Sequence, residues 1–113
     1  MTPEQAQAAC DDLTDLYGLE PHRLYMDARL LTGGWILPER RVIKVSPHMD
    51  DAHFWNTLRH EIAHALVYRD HPEATHVHGP EWKEKARLLG AIPEACTAPT
   101  TEALACRRSR RRR

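Results

Sequence analysis

The sequence predicts a small α+β domain, and three observations carry that expectation. Apolar residues recur at helical spacing on both sides of a β-prone middle, turn residues punctuate that middle, and 113 residues suffice for one core but not two. Hydrophobic residues make up 42% and charged residues 28%, a balance that fits a globular chain and sets aside a disordered one.

The elements follow in order. Thr2-Pro3-Glu4-Gln5 reads as a helix start, with Thr2 as N-cap, Pro3 in the first turn and Gln5 closing a capping box. Ala6, Ala9, Cys10, Leu13, Leu16 and Tyr17 form its apolar row, and Gly18 stops it. Leu24–Met26, Trp35–Leu37 and Val42–Val45 are short β-prone runs, separated by turns at Gly33-Gly34 and Leu37-Pro38-Glu39-Arg40. A three-stranded meander is the simplest arrangement of them. Asp50 or Asp51 then caps a second helix reaching about Tyr68, with Trp55, Leu58, Ile62, Ala65 and Leu66 as its buried stripe. His60 and His64 fall on nearly the opposite side of that helix. After the polar loop RDHPEATHVHG, Pro80 opens a third helix with Trp82, Ala86 and Leu89 as its apolar row and Gly90 as its stop. Residues 1–93 thus form the expected domain, and 94–113 a loosely structured tail.

Charge is divided unevenly along the chain. Residues 1–106 carry 10 basic and 16 acidic side chains, a net of −6, while six arginines (Arg107, Arg108 and Arg110 to Arg113) occupy the last seven positions. Such a tail is a candidate for non-specific DNA contact through phosphates. The segment MTPEQAQAACDDL has no basic-then-apolar leader pattern and the apolar runs are only a few residues long. The expectation is a monomeric cytoplasmic protein with no membrane span. Cys10, Cys96 and Cys106 form no C-x-x-C pair, which argues against a disulfide framework and against a cysteine-based zinc site.

Histidine is the informative residue type. Five of the eight histidines (His60, His64, His71, His76 and His78) lie within 19 positions. HEIAH fits H-E-x-x-H, in which two imidazoles one helical turn apart converge on one ion and the intervening carboxylate, Glu61, acts as a base. A catalytic zinc site takes a third protein ligand. Metzincin-like spacing requires a glycine at position 67 and a ligand at 70, whereas the chain has Val67 and Asp70. Two candidates remain: Glu84, 20 positions after His64, and His78, separated from His64 by 13 residues. His78-Gly79-Pro80 sets a histidine at a helix start, with glycine allowing close backbone approach, and this favours His78. His71 and His76 read as surface loop residues, and the three tryptophans as core.

HEIAHALVY, HGPEW and the following ARLLGAIP, in that order, resemble the SprT-like zinc metalloprotease domain, as do the upstream ARLLTGGW and RVIKVSP. The resemblance spans about residues 10–93. It implies a small zincin-like α+β fold, Zn2+ held by His60, His64 and His78, and Glu61 as catalytic base. It also implies cleavage of protein substrates, in some cases proteins held on DNA, with the substrate lying as an added strand along an edge drawn from residues 35–45. Two rivals stand beside it: a regulatory metallopeptidase of the ImmA/IrrE sort, against which HGPEW argues, and a catalytically idle zinc-stabilised module that binds DNA.

Overall fold

The computed structural model describes residues 1–92. The element order is α1 (Pro3–Leu16), β1 (Arg23–Met26), β2 (Gly34–Leu37), β3 (Val42–Val45), α2 (Asp51–Asp70) and α3 (Pro80–Leu89). The domain is α+β, with three helices and a three-stranded sheet. No helix among the described residues is long and apolar enough to cross a membrane. The arginine tail, Cys96 and Cys106 lie outside the described residues.

The helix ends follow the chemistry of their caps. Thr2 accepts a hydrogen bond from the Gln5 amide, and the Gln5 side chain accepts one from the Thr2 amide, completing the capping box. Asp50 caps α2 by accepting from the His53 amide at 2.9 Å. Gly90 ends α3 in the left-handed conformation at φ 79°, where glycine carries no Cβ penalty. The α1 row departs from expectation at one point: Leu16 is exposed, and Thr14 is buried with Ala6, Ala9 and Cys10. Thr14 tolerates that position because its hydroxyl donates to the Asp11 carbonyl at 3.0 Å.

The sheet is not a meander. Its order is β1-β3-β2, with β1 parallel to β3 and β2 antiparallel to β3. The β2–β3 pair is a hairpin whose turn closes with Arg40 N–H donating to the Leu37 carbonyl at 3.1 Å. The link from β1 to β2 runs through residues 27–33, too long for a tight hairpin. It carries the chain past the end of β3, whose Val45 carbonyl accepts from Asp27 N–H at 2.9 Å. The β3 strand is therefore central, and β1 and β2 are the edges.

These two edges are treated differently. Gln7 of α1 covers the outer side of β1: its Oε1 accepts from Leu24 N–H and its Nε2 donates to the His22 carbonyl, both at 2.8 Å. That side-chain amide mimics a neighbouring strand and blunts the edge. One face of the sheet, with Leu24, Ile36, Ile43 and Val45, packs on α1 and α2 in the core with Ala6, Ala9, Cys10, Phe54, Leu58 and Ile62. Burial pushes the Cys10 thiol up to about 12, with the Asp11 carboxylate adding to the shift.

Gly34 stands where the hairpin backbones are tightest. A Cβ there would lie 2.5 Å from the Lys44 carbonyl oxygen and 3.1 Å from the Thr57 side chain. Since the first of these is backbone in the central strand, relief requires moving β2 away from β3. Gly34→Ala is expected to destabilise the fold by about 1–3 kcal/mol, as overpacking does. The check is the denaturant midpoint of the variant beside that of the wild-type protein, and an unchanged midpoint would refute this reading of the strand contact.

Candidate metal centre

Residues 61–66 of α2 are buried all the way round, which the apolar stripe of that helix did not announce. His60 and His64 were expected nearly opposite the apolar stripe, and that opposite side is itself covered. One side of α2 meets the sheet; the other meets α3, whose Trp82 is fully buried. His64 is 8% exposed, and His60 and His78 are partly buried. Trp55 is only partly buried and meets the buried Phe54 edge-on, so Phe54 takes the core place expected of Trp55.

Three side chains converge in this layer. The Nε2 atoms of His60, His64 and His78 form a triangle with edges of 3.2 Å (His60–His64), 3.1 Å (His64–His78) and 3.0 Å (His78–His60). The i, i+4 spacing on α2 supplies two corners. The third comes from the residue before Gly79, the N-cap of α3. Nitrogen ligands at about 2.0–2.1 Å from one ion, at angles near 100°, lie about 3.1–3.2 Å apart. The observed triangle fits that arrangement, and an ion beside it engages all three lone pairs at once. Among the described residues, these three histidines form the group able to hold a metal. Glu84 is exposed on α3 and is not part of it.

Trp82 orders the triangle. Its ring stacks on His64 at 5.5 Å between centroids and meets His60 at 4.7 Å and His78 at 4.6 Å. Its indole N–H donates to the His60 carbonyl at 3.3 Å, so one buried side chain joins the α3 start to the α2 backbone beside a corner of the triangle. Sequence reasoning placed Trp82 in the core but missed this contact; the two-residue step from His78 to Pro80 and Trp82 was its signal. Gly79 packs closely here, since a Cβ would lie 3.1 Å from the His76 Cβ.

Glu61 is 2% exposed and follows His60 directly on α2. Beside the triangle runs a cleft of about 310 Å³, lined by Ile36, Leu37, Pro38 and Glu39 on one side and by Val67, Tyr68 and residues 71, 72 and 74–77 on the other, with His64 among them. Tyr68, one turn after His64, was not singled out from the sequence, although its i, i+4 relation to a ligand pointed to it. His71 and His76 line this cleft rather than the triangle; the His71 Nδ1 lies 3.3 Å from a Glu73 carboxylate oxygen.

This ligand set yields a direct expectation. Purified protein should hold about one zinc per chain, as a three-histidine site does. His78→Ala should lose most of it, and Glu84→Ala should keep it, as read by metal analysis after gel filtration. A site emptied by Glu84→Ala and left full by His78→Ala would overturn the assignment.

No curated protein and no solved structure matches the chain. The sequence model of the SprT-like family, however, matches residues 13–102, a span that takes in the sheet, the HEIAH helix and the HGPEW segment. With most of its length under that match, the chain belongs to the SprT-like family.

Proposed function

We propose that the protein is a zinc-dependent metalloendopeptidase that hydrolyses peptide bonds of protein substrates. The observation that carries this reading is the histidine triangle, with the buried carboxylate of Glu61 adjacent in sequence and an open cleft alongside. A site serving structure alone closes the fourth position with another ligand; here the ligand group among the described residues is three histidines and no more.

Zinc, when bound, lowers the pKa of a water towards about 7 and polarises the scissile carbonyl. The chain's own residues account for the rest. His60, His64 and His78 hold the ion, and Trp82 keeps their rings in register. Glu61 takes the proton released as the water oxygen attacks the carbonyl carbon, then delivers it to the amine nitrogen as the C–N bond breaks. The substrate is read as an extended segment beside β2, since β2 is the sheet edge whose Ile36 and Leu37 line the cleft with His64. The expected edge of residues 35–45 thus narrows to β2, because β3 is the central strand.

Glu61→Gln preserves size and hydrogen bonding but cannot accept the proton. Zinc should stay bound while hydrolysis of an unfolded protein substrate falls by about 10²-fold or more, the usual loss for a general base. Undiminished activity in Glu61→Gln would refute the mechanism. Bound zinc with no hydrolysis by the wild-type protein would favour the idle module.

The charge split supports a second proposal, contact with DNA through Arg107, Arg108 and Arg110 to Arg113. A body of net −6 repels polyanions, so affinity must come from the tail, without sequence preference. Six arginines give a log–log salt slope no steeper than about −5 on duplex DNA. Protein ending at Cys106 should lose this binding and keep its zinc. Equal affinity of the two lengths, titrated against labelled DNA at two salt concentrations, would refute the proposal.

A further inference from the structure

The cleft beside His64 does not end at Pro38. Pro38 and Tyr68 also line a second chamber of about 310 Å³, so the two spaces share this pair of residues. The second chamber sits among the end of α1, the start of β1, the β2–β3 turn and the end of α2. Its lining changes character, because His22, Arg41 and Arg69 face it together with Glu20.

Arg41 holds an unusual backbone. Its φ is 56°, in the left-handed region that glycine and asparagine occupy at least cost. An arginine there places a guanidinium beside the chamber at a position where the turn itself would favour a smaller residue. Its ion pair with Glu20 spans 3.9 Å between side chains that are 55% and 72% exposed, a contact of little strength. Arg69 is differently placed. Its Nε lies 2.6 Å from an Asp70 carboxylate oxygen and its Nη1 donates to the Tyr17 carbonyl at 2.8 Å, so it serves as wall.

His22 closes the inner side of the chamber. The residue is 5% exposed, and its Nδ1 lies 2.8 Å from the Glu20 carbonyl oxygen, to which it donates. Its Nε2 is buried and has no hydrogen-bond partner among the described residues. Burial lowers the pKa of this ring, the bond to the Glu20 carbonyl opposes that shift, and the charge of Arg41 adds to the lowering. With the proton on Nδ1, Nε2 carries none and stays enclosed, so His22 serves as inner wall of the chamber.

We propose that the second chamber is a specificity subsite for an acidic side chain of the substrate, with Arg41 meeting the carboxylate and the buried His22 ring forming part of the inner wall. This rests on the metallopeptidase reading given above. Tyr68 and Arg69 lie about 6 and 7.5 Å along α2 from His64 at 1.5 Å per residue. An extended substrate advances about 3.3 Å per residue, so the acid sits about two residues from the bond cleaved.

The test uses full-length, zinc-loaded protein and fluorogenic peptides that differ at one position, carrying Glu or Gln at each of four places on either side of the cleaved bond. At one place, Glu should raise kcat/KM over Gln by about fivefold, the upper end for one solvent-accessible ion pair, and added salt should shrink that ratio. Arg41→Gly suits the left-handed backbone and removes the guanidinium, so the ratio should fall to near 1; Arg41→Lys should retain most of it. No Glu preference at any place, or a preference that survives Arg41→Gly, overturns the proposal. So does a preference confined to peptides with a free rather than an amidated C-terminus, which would move the carboxylate to the chain end. The same peptides titrated into Glu61→Gln protein separate this idea from the one beneath it. If the wild-type protein cuts none of the peptides, yet Glu peptides bind Glu61→Gln protein better and adding Arg41→Gly abolishes the difference, the subsite stands and the peptidase reading falls. Equal binding of Glu and Gln peptides overturns the subsite.

Discussion

The site depends on the burial of Trp82 between α2 and α3. Its indole lies within 4.6 to 5.5 Å of all three imidazoles and donates a hydrogen bond to the carbonyl of His60. Two of those imidazoles belong to one helix and need no help to be neighbours. The third arrives from a loop, and its position is only as good as the docking of the helix that follows. A fully buried tryptophan secures that docking more firmly than the loop's own polar residues can, because its large apolar surface leaves water and its N–H is satisfied on the facing backbone.

The rest of the fold prepares a surface for this layer. Gln7 of α1 occupies the outer side of β1, so the sheet offers its other edge beside the histidines. Gly34 lets β2 lie close on β3, bringing Ile36 and Leu37 alongside the C-terminal half of α2. These are ordinary packing solutions. Together they set an edge strand, a histidine triangle and a cleft side by side.

Much of this was legible in the sequence where the information is local. The capping box at Thr2 and Gln5, the Asp50 cap and the Gly90 stop all act within a few residues, and the structure has each of them. The histidine cluster was legible for a related reason: two members are fixed by helix geometry, and the third sits beside Gly79 and Pro80. Strand order was not legible. Turn residues mark where strands end but say nothing of which partner a strand takes, and the passage of residues 27–33 past β3 is decided by packing on the helices. The burial of His60 and His64 was hidden likewise, since periodicity within α2 reports one face and α3 covers the other.

Placing the third histidine of the triangle outside α2 has a thermodynamic consequence for any ion bound there. An ion held at the triangle is a cross-link closing the 13 residues between His64 and His78, a segment that includes much of one wall of the cleft. Closing it by coordination restricts the chain between those two residues. Because the ion binds the folded arrangement and not the open chain, each tenfold rise in free metal above the dissociation constant adds about 1.4 kcal/mol to stability. If the triangle holds an ion as proposed, the order of the cleft wall is coupled to the metal supply of its surroundings, and removing that ion would loosen the wall.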